Sequence, residues 1–394
     1  MEALYRTGEI PLASIIVNNY NYGRFLAEAI DSALAQTYPR VEVIVADDGS
    51  TDDSRDIISA YGDRIIPVLK ENGGQASAFN TGFATSRGQT IFFLDSDDVL
   101  LPTALEHAAP IFRDPDVVKV HWPLWEIDAE GKRTGDLTPT GELAEGELRE
   151  LAVREGPINH VNPPTSGNGW SRRFLESVLP MPEAEWKICA DVCLMELAPF
   201  SGRIGKIPEP QALYRLHGQN NYSARSFDER LKHGLELHDS LRAAASKYCR
   251  DAGITVDIEL WRQKSWFHRL HKATEEIASL VSANEAFVLV DQDEWGMRAE
   301  NSRLPIPFLE RYGKYWGSPP NDEVAIRELE RLRQSGAKFM VFAWPAFWWL
   351  EHYASLHRYM RNNYPCIMEN ERVVVFDLGR SVSGAVRQSH AVPE

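Results

Sequence analysis

Residues Thr90–Pro102 read TIFFLDSDDVLLP. An uninterrupted apolar run, Ile91–Leu94, stops at Asp95-Ser96-Asp97-Asp98, and apolar sequence resumes at Val99. A continuous apolar run suits a strand buried on both faces. Three carboxylates at its end cannot be buried without partners, because desolvating a charge costs too much. They face water, a cation or a cationic partner. Clustered hard oxygens suit Mg²⁺ or Mn²⁺, and a diphosphate can complete such an ion's shell. The stretch therefore predicts a metal–diphosphate site at the carboxyl end of a sheet strand, where open α/β sheets bind ligands. An acidic turn with a helix cap is the plainer alternative.

Upstream, strand and helix patterns alternate. Ala13–Val17 is a short buried strand that runs into the polar and aromatic loop Asn18–Gly23. Arg24–Gln36 has helical spacing, with Phe25, Ala29, Ala33 and Leu26, Ile30, Leu34 recurring every four residues. Val41–Ala46 is a second strand and ends in Asp47-Asp48-Gly49-Ser50-Thr51-Asp52-Asp53. Ser50 with Asp53 fits a capping box for the next helix. Ile65–Leu69 and the helix Ala76–Thr85 follow. This alternation predicts an α/β fold with a largely parallel sheet. Parallel strands would put Asp47/Asp48 and Asp95/Asp97/Asp98 on one edge.

SIIVNNYNYGRFLAEAIDSALAQTYPRVEVIVADDGSTDDS, followed by NGGQASAFNTGFATSRGQTIFFLDSDD, resembles the family 2 glycosyltransferases of the Rossmann-like GT-A fold. The resemblance covers about residues 12–220. It implies transfer of a sugar, of hexosyltransferase type, from a UDP-, GDP- or TDP-sugar to a hydroxyl acceptor, usually with inversion. The acceptor would be a glycan, a lipid-linked glycan or a small molecule in polysaccharide or glycoconjugate synthesis. It also implies Mn²⁺ or Mg²⁺ at a DxD motif, matched here by Asp95 and Asp97 and extended by Asp98. Either Asp97 or Asp98 would hold the metal, and Asp95, Ser96 or the remaining aspartate the ribose or sugar. The base and ribose fall near Asn18, Tyr20 and Asp48. Tyr20 offers a ring face, and Asp48 can accept from base N–H or ribose hydroxyls. Gln75 and Asn80 are further candidates for the donor, with capping and surface hydrogen bonding as the alternative.

Downstream, Asn162–Trp170 (NPPTSGNGW) borders the acceptor in the resembling family, and Ser166, Asn168 and Trp170 are candidates to line it. Asp191, just before the apolar helix Val192–Pro199, matches the family's catalytic base. Inverting transfer needs a group to take the acceptor's proton on the face opposite the leaving diphosphate. Helix capping is the plainer role for Asp191. Arg215 and His217, in ALYRLHGQNNY, match an Arg-x-His stretch that completes the diphosphate or metal site.

With the resemblance confined to about 12–220, the residue pattern divides the chain into a GT-A domain over 1–222 and parts beyond it. A helical connector follows over 223–280, then a second small α/β domain over 281–380 and a frayed tail over 381–394. The second domain carries Asp291, Asp293 and Glu294 after a strand, and an aromatic cluster of Trp344, Trp348 and Trp349. Glycan stacking, oligomerisation (a homodimer among the options) and core packing fit the tryptophans, and a second chemistry the acidic residues.

The 394 residues include 43% hydrophobic and 25% charged side chains, which suits large cores. A net charge of −15 argues against broad nucleic-acid binding, which needs a basic footprint. The four cysteines lack zinc-site spacing. With no leader and no apolar run of membrane length, a cytoplasmic protein with free thiols is expected, peripheral membrane contact being compatible with it. Two other classes share the outline: a silent sugar-nucleotide or glycan-binding protein, and a sugar nucleotidyltransferase. Asp191 favours the transferase over the first. Asn18–Gly23 lacks the basic, Gly-rich character that the second needs.

Overall fold

The structure is a computed structural model that describes residues 10–218, 226–282, 284–297 and 304–382. The described chain forms two compact units.

The first unit opens with β1 (Ala13–Asn19), α1 (Gly23–Leu34), β2 (Val41–Asp47), α2 (Ser54–Ala60), β3 (Ile66–Leu69), α3 (Gln75–Thr85) and β4 (Thr90–Asp95). It continues through β5 (Val99–Leu100), α4 (Ala104–Ala108), β6 (Val117–His121), β7 (Leu124–Ile127), β8 (Arg133–Thr138) and α5 (Arg149–Glu155). Then come β9 (Asn168–Ser171), α6 (Arg172–Val178), α7 (Ala190–Ser201), β10 (Arg203–Lys206) and β11 (Ala212–Arg215). Seven strands form the main sheet in the order β10-β6-β9-β4-β1-β2-β3. All neighbours pair in parallel except at β9, which is antiparallel to both β4 and β6. The largely parallel α/β sheet expected from the sequence is thus present. A second sheet, β5-β11-β7-β8, flanks the acidic loop with β5 and β11.

Alternation explains why the strands are apolar throughout. Ile16, Ile44, Ile91 and Phe93 enter one core, and Ile15, Val17, Val43, Val45, Phe92 and Leu94 the other. Phe93 stacks on Phe79 of α3 with centroids 3.9 Å apart. Truncating such a ring to alanine costs about 3–5 kcal/mol. Register then aligns the polar ends. Asn18 lies opposite Asp95 across β1 and β4, and Asn19 opposite Asp47 across β1 and β2.

The expected capping box before α2 does not form: Asp53 occupies the cap position without a side-chain bond. Asp52 instead accepts from Ser54 N (3.0 Å) and Gly23 N (2.8 Å), tying this loop to the start of α1. Ser50 Oγ accepts from Asn21 N and Asn19 Nδ2.

The segment expected as a connector contains α8 (Phe227–Asp251), α9 (Ile258–Lys264) and α10 (Trp266–Leu280). Its parts are built into the units themselves. Leu241, Ala245, Cys249 and Trp261 join one core of the first unit, while Leu270, Ala273 and Ile277 join a core of the second. Their apolar stripes find more surface to bury there than a free-standing linker could offer.

The second unit carries β12 (Ala286–Val290), β13 (Leu304–Pro307), β14 (Glu310–Arg311), β15 (Lys314–Tyr315), α11 (Asp322–Gln334) and β16 (Phe339–Ala343). It ends with α12 (Trp348–His352), α13 (Ala354–Asn363), β17 (Cys366–Glu369) and β18 (Val373–Asp377). Its sheet runs β13-β12-β16-β18-β17 and is also buried on both faces. Of the expected Trp cluster, Trp349 is core and Trp344 packs between Trp266 and Trp295 at 4.8 and 5.1 Å. Trp348 is 43% exposed, and its indole N–H donates to Gln292 Oε1. The four cysteines are thiols. No described helix is long and apolar enough to cross a membrane.

Candidate active site

Asp95, the last residue of β4, sits beside Asn18, whose Nδ2 donates to Asp95 Oδ1 at 2.6 Å. Ser166 Oγ accepts from Asp95 N at 3.1 Å. The chain then turns tightly, with Asp98 N donating back to Asp95 O. Arg215 N donates to Asp98 Oδ1 at 3.0 Å, and Arg215 Nε to the Asp97 carbonyl at 2.8 Å. The same guanidinium bonds Glu28 Oε2 at 2.6 Å and lies 4.8 Å from the centre of the Phe25 ring. His217 Nε2 is 3.0 Å from Asp97 Oδ2, and its ring packs against Tyr22 and Phe25.

Three carboxylates so close in an enclosed place strain against ionisation. Burial, and then the Asp97 charge, push Asp95 up to about 7. The same two causes drive Asp98 well above the usual range. Burial first, and then all three aspartates, raise Tyr22 to about 12. Asp98 Oδ2 is buried with no hydrogen-bond partner among the described residues. Carboxylate oxygens and an imidazole are donor types a divalent cation takes, and His217 already lies on Asp97, but the ligand atoms of Asp97, Asp98 and His217 do not all converge in this structure. Asp97, Asp98 and His217 are the residues that could take a cation after a small closure.

Asp191 lies in the first turn of α7, where the helix dipole favours a carboxylate. It does not cap the helix: Cys189 holds that position, at φ 64°. Gln75 fixes the approach, accepting from Ala190 N through Oε1 and donating N–H to Lys187 O, each at 2.9 Å. Gly74 (φ 90°) is needed beside it, since a Cβ there would meet the Lys187 carbonyl oxygen at 2.6 Å. Thr165 Oγ1 donates to Asp191 Oδ2 at 3.0 Å. Burial raises the Asp191 carboxyl, and the Thr165 bond partly offsets this. Asp191 and Asp95 feel each other's charge, so the expected base and the acidic loop share one site.

The other sequence candidates make contacts within the chain. Asp48 accepts from Gly73 N at 3.0 Å and Gly74 N at 2.7 Å, and pairs with Lys70, so its carboxylate folds the 70–74 turn. Asn80 exchanges two 2.9 Å hydrogen bonds with the Met181 backbone. Arg215 braces the acidic loop from within, at 2% exposure. Asn168 donates to the Pro164 carbonyl at 2.8 Å. Trp170, 1% exposed, stacks on Phe174 in the core. Both residues sit on the interior strand β9 and are buried. Ser96 is buried, and Tyr20 is 46% exposed at the head of the β1 loop. Sequence reasoning passed over Thr165, Glu28, Lys119 and Glu196. Lys119, a charge inside the apolar strand VVKVHW, was the signal available.

Residues 14–166 match the Glycosyl transferase family 2 profile. An uncharacterized glycosyltransferase of Nostoc sp. is 40% identical over 213 residues, 53% of this chain and 66% of its own length. The Escherichia coli chondroitin synthase is 39% identical over 246 residues, 61% of this chain and 34% of its own length. The chain thus spans just under two thirds of the first relative and about one third of the second. Staphylococcus aureus TarS 1–349 superposes with a TM-score of 0.46 at 17% identity, covering 68% of this chain and 74% of that one.

Proposed function

We propose, from the match of residues 14–166 to glycosyltransferase family 2, that the protein moves a sugar from a nucleoside diphosphate sugar to a hydroxyl acceptor, with inversion at the anomeric carbon. The observation that supports this reading is the acidic loop after β4, with His217 on Asp97 and the Asp191 charge felt at Asp95. Asp97, Asp98 and His217 would hold Mn²⁺ or Mg²⁺, which when bound supplies positive charge for the leaving diphosphate. Asp95, steadied by Asn18 and Ser166, is left to orient the ribose or sugar. Asp191 takes the proton as the acceptor oxygen bonds to the anomeric carbon. The bond from that carbon to the diphosphate breaks on the opposite face. Arg215 acts by holding the acidic loop in shape. Similarity to a chondroitin synthase supports a glycan acceptor.

The test mixes the protein with Mn²⁺ and UDP-, GDP-, TDP- and CDP-sugars. The matching donor should raise the melting temperature by mass action and release nucleoside diphosphate, slowly to water and faster with a glycan acceptor. Binding without release would mark a binding protein. Pyrophosphate release from a nucleoside triphosphate and a sugar phosphate would mark a nucleotidyltransferase.

A further inference from the structure

Beside Asp191 lies a buried polar chain that the mechanism above does not use. Lys119 sits inside β6, opposite Trp170 of β9, at 0% exposure. A lysine is almost never buried so fully without a dedicated partner. Its Nζ lies 5.6 Å from the centre of the Trp170 ring and donates to Asn162 Oδ1. Asn162 Nδ2 in turn donates to Glu196 Oε1 at 3.1 Å. Glu196 Oε2 accepts from Ile158 N at 2.6 Å, at a residue held at φ 60°. That conformation is costly for a β-branched side chain, so the bond holds the backbone where it would not rest alone. Glu196 lies five residues beyond Asp191 on α7, about 7.5 Å along the axis. Thr165, three residues beyond Asn162, bonds Asp191 directly. The network therefore grips the segment 158–165 at two points while that segment touches the base at a third.

We propose that Lys119 is a positioning residue for the base: a buried counter-charge, seated by Asn162 and Glu196, that keeps Asp191 ionised and the 158–165 segment in place beside it. This rests on the reading of Asp191 as the base.

The charged surroundings fit. Glu196 and Asp191 of α7 face Lys119, with His121 on its own strand and His160 on the segment. Asp95 faces Asp191 from β4. Burial lowers Lys119 to about 7, against the pull of Glu196 and Asp191. Burial also lowers His121 to about 2 and His160 to about 3, so both are neutral near pH 7. Burial also raises Glu196 to about 7. In its protonated form Lys119 is the cation of this group, and it then pulls Asp191 back toward ionisation against the larger effect of burial. When the acceptor O–H bond breaks, the proton passes to an Asp191 carboxylate that Lys119 has kept charged.

The test is a pair of NMR titrations on the full chain, labelled at aspartate Cγ and lysine Cε. The Asp191 signal is identified by its loss in Asp191→Asn, and the Lys119 signal as the lysine titrating near neutrality. Lys119→Met should raise the Asp191 midpoint by about one pH unit. Asp191→Asn should lower the Lys119 midpoint by the same amount, because coupling is reciprocal. The acid limb of nucleoside diphosphate release should move up with the Asp191 midpoint in Lys119→Met. Unmoved midpoints, even with activity lost at every pH, would overturn the proposal and leave Lys119 a core residue. Should Lys119→Met fail to fold, the isosteric Asp191→Asn arm decides alone. The readout needs no turnover, so normal turnover in Asp191→Asn would sink the proposed function while the midpoints still judge Lys119.

Discussion

β4 and β12, one strand from each unit, both lead into aspartates at their carboxyl ends, and the two ends are finished differently. β4 stops at Asp95, and the three carboxylates that follow crowd together until two are driven far above their usual range. β12 is followed by Asp291, which burial pushes up to about 6. There the resemblance ends. Asp291 Oδ1 accepts from Asp293 N at 3.0 Å and Oδ2 from Trp295 N at 3.1 Å, so the next few residues satisfy the carboxylate. Asp98 leaves an oxygen buried and unbonded among the described residues. An acidic strand end is thus no signature in itself. What separates a site from a turn is whether the chain's own N–H groups already answer the carboxylate.

Mutations can sharpen this contrast, beginning where the effect is largest. Asp97→Ala should cut nucleotide-sugar turnover about 10³-fold, since several kcal/mol of charge stabilisation is at stake. It should also abolish the Mn²⁺-dependent melting shift with nucleoside diphosphate, leaving the metal-free melting temperature near wild type. An unaltered Mn²⁺-dependent affinity would break the assignment. Asp191→Asn should lower turnover about 10²-fold or more while calorimetry finds the donor bound as before. Because burial raises Asp191, the acid limb of activity should lie above the ordinary aspartate value of about 3.9. The base works only once deprotonated.

Asp291→Ala should show the opposite pattern. It strands two buried N–H groups, at about 1–3 kcal/mol of stability, with donor affinity unchanged. Any loss of donor binding would mean that this turn is more than structural. The smallest effect is one of pH. Asp291 titrates near 6 folded and near 3.9 unfolded, so the folded chain keeps the extra proton. Its contribution to stability should fall as pH rises from about 4 to about 6. The difference between wild-type and Asp291→Ala melting curves across that window measures it.

How far the sequence could be read follows the same division. The strands were legible because a strand buried on both faces must be apolar at every position, as Ile91–Leu94 are. The acidic loop and Asp191 stood out through their match to the motifs of a family; as bare carboxylates at a strand end and before an apolar helix they also had plain structural readings. Asp48, Asn80, Arg215 and Asn168 were legible as polar groups but not by partner. The first three bond backbone groups brought near by tertiary register, such as Met181 for Asn80 and Asp97 for Arg215, while Asn168 bonds Pro164 four residues back. No local pattern encodes who arrives from a hundred residues away. Lys119 was hidden for a related reason: its neighbours come from α7 and the 158–165 segment, not from its own strand.

The turn folded by Asp48 has a kinematic consequence. Asp48 clamps Gly73 and Gly74, Gly74 abuts Lys187, and Gln75 holds Lys187 and Ala190. The end of β2 and the start of α7 are thereby two ends of one short link. Slack introduced at Asp48 is delivered at Asp191, so Asp48→Ala should lower kcat as well as donor affinity, although Asp48 itself lies in another loop.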